Sequence, residues 1–511
     1  MTLPFPYPLA RFRVWLLLVL AAFLMASPAR AEIPQRQWLV AETQAFRLHS
    51  DGPQFELQRW AKKIAWFDMV LRAELGGEAR EDGPPLDIFL LADPQAVSDI
   101  VGQQYLAGVY VQSSEGPFLV ANRRPAYERT RLSGQASLFH EYAHHYMYRH
   151  RAAAYPAWYR EGFAEYVSTV AFDMDGRWTF GEPAGYRLKQ LAKDRVSART
   201  LLLEDVDALR DKDRPAYYAW AWLLTHMLKS TAEGQARLDR YLAAFASGAD
   251  REAAAAHLGG IDAVQRALDA YAEASLRYRR SSASLPDLPT AQARALSPLE
   301  SRLVDLGLAR RLGHRREEAL GELRALALNN PKSAPILAEL ARAEYAVARA
   351  RGAASLAAPK AALSRLLAVD PQHPDGNLLA VQIALREHET RTASGPTDWD
   401  ALRERLAIVL AADPDNPAAL TELFHTYLSA RTRPTPRAFV AIERAFAMQP
   451  ESTRIRVVSS YALALRGKFA EARARAGVLS SDPHHFGAGR KALATLARME
   501  RSREAAPIEP D

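Results

Sequence analysis

The chain has 511 residues, 49% hydrophobic and 24% charged, a balance that excludes a mainly disordered or fibrous protein and supplies material for more than one core. It contains no cysteine, so disulfide scaffolds, thiol nucleophiles, iron–sulfur clusters and Cys-ligated zinc are excluded, and any metal must be held by His, Asp or Glu. The formal charge is +7, with Lys and Arg scattered among Asp and Glu rather than gathered in runs, and no nucleic-acid partner is expected.

Arg11 and Arg13 precede a 13-residue apolar run from Val14 to Ala26, and Ala29-Arg30-Ala31 sets small residues at the two positions a signal peptidase reads. Residues 1–31 thus read as a bacterial Sec-type signal peptide, with Glu32 first in the mature chain and the periplasm or the medium as destination. The run is shorter than the about 20 residues that span a bilayer, and no later stretch is apolar enough, so no stable membrane span is expected after cleavage.

Trp38 to Leu48 reads as a strand, and Leu57, Trp60, Ile64, Phe67, Leu71 and Leu75 recur at helical spacing until Gly76 and Gly77. Leu86 to Leu91, between Pro84-Pro85 and Asp93-Pro94, predicts a buried strand, and Gly108 to Tyr110 and Phe118 to Ala121 predict two more. A small sheet crossed by one helix therefore precedes residue 130. Ser133 is placed to cap a helix running through His150, and Pro156 to open another ending near Val170. A later apolar helix covers Tyr217 to Leu228. Residues 32–280 are expected to form an α+β domain, a small sheet plus helices.

Residues 281–297, with Ser281, Ser282, Ser284, Pro286 and Pro289, read as a linker. From 298 to 505 the sequence is Ala- and Leu-rich and all-α. Pro331, Pro371, Pro414, Pro450 and Pro483 each follow an apolar helix end, at separations of 40, 43, 36 and 33 residues. Tyr461, Gly467, Phe469 and Ala472, running on to Pro483, resemble a tetratricopeptide repeat, and Gly313, Ala319 and Pro331 echo it. Such an array predicts a groove for a peptide or a partner protein.

His140-Glu141-Tyr142-Ala143-His144 is an HExxH motif on a predicted helix, so the two histidines share a face and reach one metal ion while Glu141 lies beside the open position. Tetrahedral zinc needs a third protein ligand. His150 lies six residues past His144, but Met147 stands where a helix-breaking glycine would be needed to swing it back, and a continuous helix rotates it off the metal side. The better candidate is Glu161, in Trp158-Tyr159-Arg160-Glu161-Gly162-Phe163-Ala164-Glu165, after a turn and an antiparallel return. Glu165, one turn further, can accept the other ring N–H of a ligand histidine. His145 and His150 are then expected on the exposed side of their helix.

These residues resemble the gluzincin branch of zinc metallopeptidases, the peptidase MA-like group related to the aminopeptidase and thermolysin folds. The likeness covers about residues 35 to 280, and its specific part is residues 139 to 167. The resemblance implies one zinc on His140, His144 and Glu161, Glu141 as general base, Glu165 behind His140, and a strand near Phe118 to Asn122 as the edge that takes a protein or peptide substrate. No exopeptidase signature is visible upstream, so an endopeptidase is expected. The family takes an oxyanion donor from the region of Tyr218 and His226; these are eight residues apart, about 12 Å along a helix, so only one can serve, and Tyr218 is favoured. The alternative is a non-catalytic periplasmic scaffold with a retained metal site and peptide-binding repeats.

Overall fold

The computed structural model describes residues 33–504 apart from 76–82, 105, 114, 126–131, 151–152, 205–208, 211, 353–354, 394 and 482–485; the leader, Glu32, Gly76, Gly77 and Pro483 lie outside them. The first half is built on a six-stranded mixed sheet in the order β4-β5-β3-β2-β1-β9, formed by β1 (Leu39–Glu42), β2 (Phe46–Ser50), β3 (Leu86–Leu91), β4 (Gly108–Val111), β5 (Phe118–Asn122) and β9 (Ala293–Ala295). The stretch expected as one strand over Trp38 to Leu48 is a hairpin. The Thr43 amide and hydroxyl both reach the Phe46 carbonyl, turning the chain so that β1 pairs antiparallel with β2.

β2, β3 and β5 run parallel. The connection from β2 to β3 is α1 (Gln54–Leu75), whose stripe Leu57, Trp60, Ile64, Phe67, Val70 and Leu71 is buried on one sheet face. A second helix missed in the sequence, α2 (Pro94–Val101), lies on the other face. Asp93 caps it through the Ala96 amide at 2.9 Å with Pro94 at its first turn, a start signal that had served only to end β3.

Helices α3 (Gly134–His150) and α4 (Ala157–Ser168) follow, close to the expected bounds, and Ser133 caps α3 through the Ala136 amide at 3.0 Å. α3 packs on α1 through Phe139 and Phe67, stacked at 4.0 Å. A short second sheet holds β6 (Ala171–Phe172), β7 (Trp178–Phe180) and β8 (Arg279–Arg280). Between β7 and β8 lie α5 (Gly185–Lys193), α6 (Ala198–Leu203), α7 (Arg214–Lys229), α8 (Ala232–Ala246), α9 (Arg251–Ala256) and α10 (Ile261–Ala272). α4 is buried along its whole length and lies against α7 so closely that a Cβ on Gly162 would fall 2.3 Å from the Ala221 carbonyl oxygen. Only glycine fits there.

Residues 281–297, read as a linker, are tied to the first half. The Ser281 amide donates to Trp178 O at 2.8 Å, the Trp66 indole donates to Pro286 O at 2.9 Å, and β9 pairs with β1. The next helix, α11 (Pro298–Leu312), opens on a capping box of Ser297 and Glu300 and covers the α2 side of the sheet, where Leu308 joins Trp38, Phe89, Val97 and Phe118. Trp38 donates its indole N–H to Asp305 at 3.0 Å, and Asp305 also accepts the Arg36 amide at 2.9 Å.

Helical hairpins then repeat: α12 (Arg316–Asn329), α13 (Ala334–Ala350), α14 (Ala357–Val369), α15 (Pro374–Thr390), α16 (Trp399–Ala412), α17 (Pro417–Ala430), α18 (Pro436–Met448), α19 (Thr453–Leu465), α20 (Phe469–Gly477) and α21 (Phe486–Glu504). Short turns make neighbours antiparallel, and the apolar core passes along the array as successive patches, the geometry of a stacked helical repeat. Pro331, Pro371, Pro414 and Pro450 stand in the turns after α12, α14, α16 and α18.

Candidate metal centre

α3 and α4 cross so that His140, His144 and Glu161 each offer one donor atom to the same point. Their mutual separations are 3.1 Å between the two Nε2 atoms, 3.6 Å from His140 Nε2 to Glu161 Oε2 and 3.5 Å from His144 Nε2 to the same oxygen. A tetrahedral zinc with bonds of about 2.0–2.1 Å requires ligand atoms about 3.3 Å apart. The N,N,O donor set and its spacing therefore fit zinc, and this triad is the one cluster of three such donors among the described residues. Two imidazole lone pairs facing each other at 3.1 Å repel unless a cation or proton lies between them.

Two of the three donors, Glu161 and His140, are held from behind. Arg160 Nε donates to Glu161 Oε1 at 3.2 Å, leaving Oε2 for the histidines. His140 Nδ1 faces Glu165 Oε1 at 3.2 Å, the contact expected from the sequence. Glu165 in turn accepts from Arg187, at 2.9 Å from Nε and again from Nη2, and from the Tyr186 hydroxyl at 3.1 Å. Tyr186 and Arg187, on α5, carried no sequence signal, because their approach depends on where α5 lies in space. Burial alone would drive His140 toward neutrality, but hydrogen bonds and charge from Glu161 and Glu165 lift its pKa to about 10. Burial also opposes ionisation of Glu161 and Glu165, yet both are held well below the carboxylate range, by His144, His140 and Arg160 in one case and Arg187 and His140 in the other.

Glu141 projects beside this triad toward β4, and its Oε2 accepts the Tyr110 amide at 2.8 Å. A Cβ on Gly108 would fall 2.6 Å from Ser137 Oγ and 3.1 Å from Glu141 Cγ, so glycine lets the strand come this close. The expectation that Phe118 to Asn122 is the sheet edge is corrected: β5 is paired with β3 and β4, and β4 is the edge beside α3. Periodicity marked both strands but said nothing of their order.

Tyr218, on α7, lies in the field of Glu161 and Glu141 with the Arg187 guanidinium 5.5 Å from its ring centre; burial and those carboxylates push its phenol well above the ordinary value, so it stays protonated. His226 is directed elsewhere, its Nε2 at 2.9 Å from Gly181 O and its Nδ1 at 2.8 Å from the Tyr271 hydroxyl. His150 is outside the triad and lies against Tyr146, the two rings tilted by 31° with centres 4.3 Å apart. His145, expected on an exposed face, is buried and meets the Tyr110 hydroxyl at 3.3 Å, because the β4 edge covers that side of α3.

No protein-family model matches the sequence, and no curated protein matches it either. Among solved structures, the chain is similar to a thermophilic TPR protein of Thermus thermophilus, with 18% identity and a TM-score of 0.30 over 39% of this chain and 98% of that one. Among the described residues no helix is long and apolar enough to cross a membrane.

Proposed function

We propose that the protein is an exported, gluzincin-type zinc metalloendopeptidase whose tetratricopeptide-like repeats recruit a protein or peptide substrate or a partner. The observation that carries this reading is the convergence of His140, His144 and Glu161 at tetrahedral spacing with Glu141 beside them. Zinc held by these three residues would supply Lewis acidity toward a peptide carbonyl and lower the pKa of a water toward neutrality. Glu141 accepts the proton of the attacking water and returns it to the leaving amine. The Tyr218 hydroxyl, kept protonated, donates to the oxygen on which charge develops. An extended peptide lying beside the β4 edge, on backbone groups other than the Tyr110 amide that Glu141 holds, brings the scissile bond to α3. Glu165 and Arg187 hold the His140 ring in orientation throughout.

The test is cleavage of a quenched-fluorescent peptide library by the full mature chain, with Glu141→Ala as the matched control and zinc measured in both. Cutting by wild type alone, with one zinc in each, is the expected result. No cutting by a wild type that holds one zinc would instead favour the scaffold reading, in which the repeats do the work.

A further inference from the structure

The repeat array touches the first half at the hairpin that carries the β4 edge, and it does so from two places in sequence. The turn joining β4 to β5 is closed by Ser113, whose hydroxyl donates to Gly116 O at 2.6 Å. From α11, Arg310 holds the Glu115 carboxylate with both terminal nitrogens, Nη2 at 2.6 Å from Oε2, while its Nε donates to Glu339 of α13 at 2.6 Å. Arg310 is 3% exposed, so this fork is fixed between the hairpin and the array. Arg311 donates to Gly116 O at 3.3 Å and to Asp87 at 3.2 Å, with its guanidinium 4.1 Å from the Phe118 ring centre.

The second approach comes from the turn after α18. A Cβ on Gly116 would lie 3.6 Å from Gln449 Nε2, and one on Gly83 would fall 2.7 Å from Met448 O. Glu451 comes within 3.9 Å of Arg149 at the end of α3. The array thus leaves the sheet at α11 and returns to it near residue 449, bracketing the hairpin tip. Within the β4 strand of that same hairpin, the Tyr110 amide donates to Glu141.

We infer that Arg310 and Glu115 are positioning residues, through which the repeat array sets the β4–β5 hairpin against α3 and so fixes the Tyr110 amide on Glu141. The repeats are then part of the catalytic geometry as well as a recruitment surface. The catalytic consequence rests on the function proposed above; the mechanical coupling does not.

The test uses the full chain and compares wild type, Glu115→Gln, Arg310→Gln and Arg351→Gln, the last breaking a bidentate pair with Glu317 inside the array. Amide hydrogen exchange of residues 108–111 is read without substrate, alongside zinc content and the separate kcat and KM for a peptide. Glu115→Gln and Arg310→Gln are expected to speed exchange of the Tyr110 amide about tenfold and to lower kcat more than they raise KM, with zinc retained. Arg351→Gln is expected to change neither. Glu115 has a half-exposed side chain, so its variant folds even if Arg310→Gln does not. Unchanged exchange over residues 108–111 in folded Glu115→Gln overturns the inference. If wild type cuts no peptide, exchange still decides the coupling, and only the catalytic reading falls.

Discussion

Glu165 lies one helical turn beyond Glu161 and faces His140 Nδ1 at 3.2 Å, so a single helix supplies both a donor to the candidate metal point and the support behind another donor. Glu165→Gln keeps the size of the side chain but weakens its grip on the His140 ring and leaves Arg187 without its carboxylate. Zinc affinity is expected to fall about 10- to 100-fold. Competition with a chelator of known affinity measures it, and an unchanged Kd in the folded variant would remove Glu165 from the metal's support.

Tyr218→Phe deletes one hydroxyl that lies in the field of Glu161 and Glu141. If that hydroxyl donates to the developing oxyanion, kcat falls by about 10²- to 10³-fold with KM nearly constant and zinc retained. His226→Ala serves as its counterpart. Both of its ring nitrogens are engaged with Gly181 and Tyr271, so it is expected to lower the Tm while sparing the kcat of the folded protein. A large kcat loss in His226→Ala with intact Tyr218→Phe activity would reverse the assignment.

Gly162→Ala adds a methyl group 2.3 Å from the Ala221 carbonyl oxygen and 2.5 Å from Thr225 Oγ1. Neither α4 nor α7 has an exposed side on which to yield, so a destabilisation of about 1–3 kcal/mol is expected in urea denaturation. The same shift displaces Glu161, the adjacent residue, and zinc binding should weaken in parallel. Wild-type stability in this variant would mean that the two helices slide freely.

The repeat half should soften in acid through Glu422. Burial opposes its ionisation, but Arg454, donating at 2.7 and 2.6 Å, lowers its pKa from the ordinary 4.5 to about 2. A folded-state value below the unfolded one contributes stability that is complete above about pH 4.5 and is lost as the pH falls toward 2, about 3 kcal/mol in all. Glu422→Gln is expected to unfold more easily at pH 7 and to show a shallower loss of stability over that window. Equal slopes in chemical denaturation at pH 5, 4 and 3 would show that the pair contributes nothing.

Local chemistry was legible wherever the physical cause was local. HExxH and the Trp158 to Glu165 segment could be read because a helix brings residues four apart onto one face, and the prolines of the repeats because a proline after a helix end leaves few alternatives to a turn. Strand order was invisible: β4 and β5 are both short apolar runs, and which one is the edge depends on partners distant in sequence. Asp93-Pro94 shows a subtler loss, since one dipeptide ends β3 and starts α2. Arg187, Arg310 and Glu115 were beyond reach because each acts across a gap of more than 20 residues that no periodicity spans.

The bond from the Trp38 indole to Asp305 spans 267 positions of the chain. Closing it brings together groups at opposite ends of the first half, a non-local contact whose loop-closure entropy must be met before it contributes stability. Until α11 docks, the face of the sheet that carries Trp38, Phe89 and Phe118 is covered only by the short helix α2, and β1 lacks its outer neighbour β9. The first half therefore has no finished sheet of its own: its edge and one face are completed only when residues 293–312 return to it.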